Sequence, residues 1–207
     1  MIDTQDSPGP PAEPRQVGRP RRSPQALLDA AAEVFVESGV DAPVRQIAAK
    51  AGVGMGTIYR HFPTRSELVV AVYRHQVEAC AEAGPRLLAE QTAEVALREW
   101  VALFVDFLVT KHGLAGALHG DNAGSDALHA YFVDRLVPVC GTLLEAARAG
   151  RGIPEHEMAL NGYSLLKGIG NLCIGATHDS DYNADELVQT LVSGALSGGR
   201  YPSVGVQ

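Results

Sequence analysis

A hydroxyl, a phenol, a guanidinium and an imidazole fall within five residues of this chain, as Thr57, Tyr59, Arg60 and His61. Such a set suits nucleic acid. Hydroxyl and ring N–H groups can hydrogen-bond phosphate oxygens, and an arginine can pair with phosphate or read guanine through two bonds. Tyr59 can pack its ring while its hydroxyl reaches a phosphate. Gly54 and Gly56 flank Met55 just upstream, where missing side chains let a phosphate come close to backbone N–H groups. Arg45 lies nine residues before Gly54 and joins the DNA-binding set. Further upstream Arg15, Arg19, Arg21 and Arg22 form a basic run. The run is either a solvated charge stretch or an arm that follows the DNA backbone or enters a minor groove.

Other reactive groups do not assemble into chemistry. His112, His119, Asp121, Asp126 and His129 crowd one glycine-rich stretch, but their spacing matches no tight metal-ligand pattern. No nucleophile elbow, phosphate loop or HExxH is present. Lys167-Gly-Ile-Gly170 follows no strand, so its glycines thin a helix face rather than cradle a nucleotide. The sequence therefore reads as a non-enzyme with no metal site and no cofactor. Cys80, Cys140 and Cys173 lie far apart and read as buried reduced thiols of a cytoplasmic protein. No run of about 18 apolar residues calls for a membrane span.

The formal charge of −7 hides a strong asymmetry. Residues 15–65 carry eight basic against four acidic side chains, a net of +4, and residues 66–207 carry nine against seventeen, a net of −8. A basic head on an acidic body can present one end to a phosphate backbone while the rest is repelled.

The elements that must hold these residues are helical throughout. Residues 1–22 lack apolar periodicity and read as a disordered, basic-ended arm. Ser23 and Pro24 start a first helix, with Leu27, Ala31, Val34 and Phe35 inward and Gly39 as its stop. A second helix spans about 43–51, capped by Asp41, with Val44, Ile47, Ala48 and Ala51 as its inner stripe. A third spans about 55–61, with Ile58 and Phe62 turned in. Thr64 to Glu67 is a capping box that begins a helix expected to end at Gly84-Pro85. Leu97, Val101, Phe104, Val105 and Leu108 mark another helix ending near Gly113. Residues 113–125 read as irregular, 126–148 as a helix kinked at Pro138, 150–154 as a turn, and 155–177 as a helix. Asn183 caps the last one. The expected fold is all-α: a three-helix helix-turn-helix head, a connecting fourth helix, and a larger body of about five more. The expected division is 1–22 arm, 23–68 head, 69–200 ligand-binding and dimerisation body, and 201–207 tail.

Two short helices joined by a tight turn at Gly52 form a helix-turn-helix, whose second helix enters the major groove. The residues Ile47-Ala48, Ala51-Gly52-Val53 and Gly56-Thr57-Ile58-Tyr59-Arg60-His61-Phe62, followed by Thr64-Arg65-Ser66-Glu67-Leu68, resemble the tetracycline-repressor (TetR) family of bacterial regulators. The resemblance covers about residues 23–73. It implies phosphate contacts from Thr57, Tyr59 and His61, and groove contacts from the start of the recognition helix. Gly54 stands where that family usually has a Ser or Thr cap, and Pro43 where a phosphate-binding Thr is common.

The resemblance further implies a homodimer on a pseudo-palindromic operator, repressing until a small molecule binds inside the body. The effector would be apolar or aromatic, since no basic cluster marks the body. Trp100, Phe104, Phe107, His119, Tyr131, Asn161, Tyr163 and Asn171 combine apolar surface with polar tips and are the pocket candidates. Gly162, Ile169, Cys173, Leu187, Leu191 and Ala195 are the dimer-interface candidates, as faces of the last two helices that could make a four-helix contact. The competing reading is a helical ligand carrier or enzyme with an incidental helix-turn-helix.

Overall fold

The structure is a computed structural model that describes residues 23–117, 122–153, 160–175 and 182–197, with only the backbone of 109–117, 122, 123, 125 and 175. The first helix, α1 (Pro24–Ser38), begins as its sequence dictates. Ser23 Oγ accepts the Ala26 N–H at 3.2 Å, and Pro24 occupies the first turn, where its missing N–H costs nothing. Gly39 then leaves the helix at φ 79°. In α2 (Val44–Ala51) the cap position falls on Pro43 with no side-chain hydrogen bond, so Asp41 is not the cap. Gly52 closes α2 at φ 64°, a left-handed turn suited to glycine, and its N–H returns to Ala48 and Ala49. After α3 (Met55–His61), Thr64 and Glu67 form the reciprocal capping box that opens α4 (Arg65–Glu90). The expected boundary between head and body, at 68/69, therefore falls inside one continuous helix.

Four more helices follow among the described residues: α5 (Ala93–Ala117), α6 (Asn122–Gly150), α7 (Gly162–Gly175) and α8 (Ala184–Ala195). All eight described elements are α-helices, as expected. The three-helix head packs through α1 against α4 and α5, and the body is built on α4, α5 and α6, with α7 on α6 and α8 on α7.

Three further expectations are overturned. Gly84-Pro85 does not end α4. Pro85 leaves the Ala81 carbonyl without its helical N–H, a loss of about 3 kcal/mol in an isolated helix. Tertiary packing offsets it. Leu87 is buried beyond the proline, and the Trp100 indole N–H donates to the neighbouring Cys80 carbonyl at 2.8 Å. Gly84 is needed for a close approach rather than a stop, because a Cβ there would stand 2.2 Å from Val139 Cγ1 on α6. Residues 113–117 and 122–125 are likewise helical, as the ends of α5 and α6, despite their glycines. Finally, α7 starts at Gly162. Asn161 is its cap, with Oδ1 accepting the Ser164 N–H at 2.8 Å.

The core is rich in aromatic contacts. Trp100 and Phe104 are fully buried and stack with ring centroids 5.6 Å apart, and Phe107 and Phe132 complete the cluster. All three cysteines are free and buried. Arg148 of α6 is also buried. It donates to the Ala195 carbonyl at the end of α8 (2.9 Å) and to the Leu160 carbonyl before α7 (2.7 Å), which satisfies both and ties the last helices down.

At the α4–α6 surface, Glu78 accepts from Arg135 and from the Tyr131 hydroxyl. The Arg135 guanidinium first, then Tyr131, hold its carboxyl below the ordinary value of 4.5. A depressed carboxylate stabilises the fold above its unfolded-state pKa and loses that contribution as pH falls through the folded value. Thermal unfolding followed by circular dichroism should thus show a Glu78-dependent loss only below about pH 4.5, and Glu78→Gln should flatten that limb. An unchanged acid limb would mean that the exposed pair is fully screened.

Candidate nucleic-acid interface

The turn between α2 and α3 is fixed by backbone bonds. The Val53 N–H reaches the Ala48 carbonyl at 3.0 Å, and the Thr57 N–H reaches the Gly54 carbonyl at 2.9 Å. Inward, Ile47, Ala48, Ala51 and Ile58 are buried, and Val53 and Phe62 pack half-buried against the core. With Ile58 turned in, the remaining side chains of α3 are turned out. Gly54, Met55, Gly56, Tyr59, Arg60 and His61 are exposed and Thr57 half-exposed, and Met55 and Tyr59 each keep half their surface in water. A tyrosine and a methionine left in water on one short helix are surface that the fold does not need for itself.

A Cβ at Gly54 or Gly56 would meet nothing within 4 Å, and neither has a positive φ. The fold does not demand glycine at either position. Their effect is to bare the backbone at the start of α3, where N–H groups lack helical partners.

The cations divide into two kinds. Lys50 of α2 is taken by α1, with Nζ 2.8 Å from Glu33 and 2.7 Å from Glu37. Arg45 and Arg60 are exposed and make no ion pair among the described residues. They are the charges left available to phosphate or base. Arg65 is a residue whose part the sequence did not disclose. It lies 5.2 Å over the Phe35 ring and donates to the Val40 carbonyl, so it locks α4 onto the end of α1. Its only sequence signal was its place inside the capping box. Arg21 and Arg22 lie outside the described residues.

The expected ligand pocket is not assembled as a set. Trp100, Phe104 and Phe107 fill the core against one another. Tyr131 lies half-buried at the α4–α6 surface, its hydroxyl on Glu78 and its ring under Arg74. Asn161 is spent as a helix cap. Tyr163 and Asn171 are exposed on the outside of α7, and His119 lies outside the described residues.

The expected dimer set splits as well. Gly162, Ile169, Cys173 and Ala195 are buried within the single chain, which corrects them as surface residues. The cause is plain at Gly162, where a Cβ would stand 2.6 Å from the Gly141 backbone nitrogen of α6. Leu191 is half-buried, with Cδ2 2.9 Å from a Cβ built on Gly168. Leu187 is exposed, as are Tyr163 and Ile174 on α7. Among the described residues no group of three or more His, Cys, Asp or Glu could hold a metal ion, and no helix is long and apolar enough to cross a membrane.

Comparison with known proteins agrees with this geometry. The family model described as "Bacterial regulatory proteins, tetR family" matches residues 27–72. The HTH-type transcriptional regulator TtgW of Pseudomonas putida is 53% identical over 49 residues, which are 23% of this chain and 37% of TtgW. The HTH-type transcriptional repressor LfrR of Mycolicibacterium smegmatis is 41% identical over 58 residues, 28% of this chain and 30% of LfrR. The chain thus matches 37% of the length of TtgW and 30% of that of LfrR. The crystal structure of the TetR transcriptional regulator SCO0520 from Streptomyces coelicolor extends the likeness to the body. It is 31% identical, with a TM-score of 0.70, over 82% of this chain and 96% of that one.

Proposed function

The chain belongs to the TetR family of DNA-binding transcriptional regulators, and from that premise we propose that it is a cytoplasmic, non-enzymatic homodimer that represses from a pseudo-palindromic operator. The observation that carries the DNA-binding face is α3, which buries Ile58 while turning Met55, Tyr59, Arg60 and His61 to solvent beside two bare glycine positions. In this reading Arg60 reads a base or holds a phosphate, and Thr57, Tyr59 and His61 fix register on the backbone. Arg45 adds charge from α2, and Gly54 and Gly56 admit a phosphate to the start of α3. Residues 23–68 act as the head and 69–200 as the ligand-binding and dimerising body, with α4 as the rigid link.

Fluorescence anisotropy with duplex from the chain's own upstream region tests it. Arg60→Ala should lose about 1–3 kcal/mol if Arg60 reads a base. Tyr59→Phe removes only the hydroxyl and should lose about 1 kcal/mol, with one fewer phosphate contact in the salt slope. Wild-type binding by both variants would place the DNA on another face.

Dimerisation is assigned to the outer face of α7 and α8, where Tyr163, Ile174 and Leu187 are exposed and Leu191 is half-buried. This revised face keeps Leu187 and Leu191 on α8 as expected from sequence and turns the α7 face by one residue, from Gly162 and Cys173 to Tyr163 and Ile174, which is roughly 100° about the helix axis. A single head reads few base pairs, so two heads on one body are needed to specify a site. In this reading a small apolar or aromatic effector releases the operator; LfrR from Mycobacterium smegmatis, which shares the fold, has been crystallised in complex with proflavine.

A further inference from the structure

Met55 is the first residue of α3 and keeps 50% of its surface in water. In a helix-turn-helix, the residues that begin the second helix are those that meet base edges in the major groove. The neighbours of Met55 are Gly54 and Gly56, where a Cβ would meet nothing within 4 Å. The fold therefore leaves both positions bare without needing to. The Thr57 N–H donates to the Gly54 carbonyl at 2.9 Å and holds this turn in place. At about 100° per residue, Gly56 and Arg60 lie on the side of α3 opposite the buried Ile58. With no side chain at Gly56, a groove can close on the backbone there and bring its floor within reach of Met55. Thr57, the next side chain, is short and half-buried.

Methionine offers a flexible apolar arm whose sulfur is only a weak acceptor. Laid on a carbonyl, amino or ring-nitrogen edge, it strips water from a polar group and returns no hydrogen bond, which costs free energy. Among the bases, thymine alone presents an apolar group in the major groove, its C5 methyl. We propose that Met55 determines operator specificity by reading the C5 methyl of one thymine in each half-site. The proposal rests on the regulator reading and adds to it the identity of a base. It differs in kind from readout by Arg60. A guanidinium selects through hydrogen bonds, whereas Met55 selects through one methyl group. Cytosine at the same position lacks that methyl and is rejected, and methylating its C5 restores the contact.

The experiment first enriches a randomised duplex pool on the full chain. Anisotropy then compares the selected duplex with copies that carry uracil at one thymine position at a time. Uracil differs from thymine only in lacking the methyl. At one symmetry-related position per half-site, uracil should weaken binding about fourfold, and about tenfold or more when both half-sites carry it. At that position 5-methylcytosine should bind about fourfold more tightly than cytosine. With Met55→Ala both ratios should fall to about one. The variant's unfolding temperature should stay close to that of the wild type, because the side chain it shortens is exposed. Equal binding of thymine and uracil at every position overturns the proposal. A methyl preference that Met55→Ala retains also overturns it, and gives the contact to Thr57 or Tyr59. A chain that enriches no duplex at all removes the regulator reading and this proposal with it. A chain that enriches one and ignores the methyl removes this proposal alone.

Discussion

A chain carrying Ile174→Asp and Leu187→Asp should sediment as a monomer and bind its operator no better than unrelated duplex, a loss of about 10³-fold or more. Both side chains are exposed in the single chain, at 53% and 39%, so neither change opens a hole in the core. Surface substitutions of this kind usually alter stability by about 0.5 kcal/mol or less. In a dimer built on α7 and α8 the same positions become buried, and an unpaired carboxylate there costs several kcal/mol. Two copies of each change double the penalty. Lost dimerisation then releases one head from the other, and each head reads only its own half-site. Half-sites about 34–36 Å apart, or a multiple of that, require both heads on one frame. Analytical ultracentrifugation and anisotropy read the two effects separately. A variant that stays dimeric at micromolar concentration would move the interface elsewhere. Leu191→Asp makes a poorer test, because Leu191 also packs against its own chain at Gly168 and its loss would weaken the fold.

The second large effect is on stability. Gly162→Ala should lower the free energy of unfolding by about 1–3 kcal/mol or more, since an inserted methyl in a packed site forces movement. The added carbon would lie 2.6 Å from the Gly141 nitrogen, 2.7 Å from the Gly141 Cα and 3.1 Å from the Val137 carbonyl oxygen. All three are backbone atoms, so no side chain can swing aside. The start of α7 would have to lift off α6, carrying the proposed dimer face with it. Urea unfolding should show the loss, and operator affinity should fall in parallel. Gly56→Ala is the control. Its added carbon meets nothing within 4 Å, so stability should hold or rise slightly while any change in DNA affinity reports the interface. If Gly162→Ala is as stable as Gly56→Ala, α6 and α7 do not approach as closely as described.

The head was open to reading from sequence because its determinants are local. Ser23 capping α1, the left-handed Gly52, and the Thr64–Glu67 box each act within a few residues, and the structure forms all three. The inward pair Ile58 and Phe62 follows from helical period alone, and it leaves Tyr59, Arg60 and His61 facing out. Chemistry at spacing of a single turn is the kind of information a chain carries in order. Asp41 carries the local signal of a cap without being one, because cap choice depends on where the first helical turn closes, and that turn closes after Pro43.

The body was not open to reading in this way. Its helices are apolar on more than one side, so periodicity identifies a helix but not which side meets which neighbour. Ile169, Cys173 and Ala195 share helices with Ile174 and Leu187, yet the first three are buried in the chain and the last two are exposed. Only the contacts of α6 with α7, and of α7 with α8, decide between those sides. Glycine and proline were ambiguous for the same reason. Gly84-Pro85, and Gly113, Gly116 and Gly124, carry the local signal of a break, yet Gly84-Pro85 lies inside α4, Gly113 and Gly116 inside α5 and Gly124 inside α6, helices that pack on one another. A helix break is favoured by a few kcal/mol at most, and that sum is smaller than what a packed helix face returns. The sequence by itself determined the family, the all-helical architecture and which residues of α3 face outward, because those follow from contacts within a turn or two. The outward faces of α7 and α8 and the close approach of α7 to α6 at Gly162 were decided by tertiary structure alone, since each depends on burial between residues far apart in the chain.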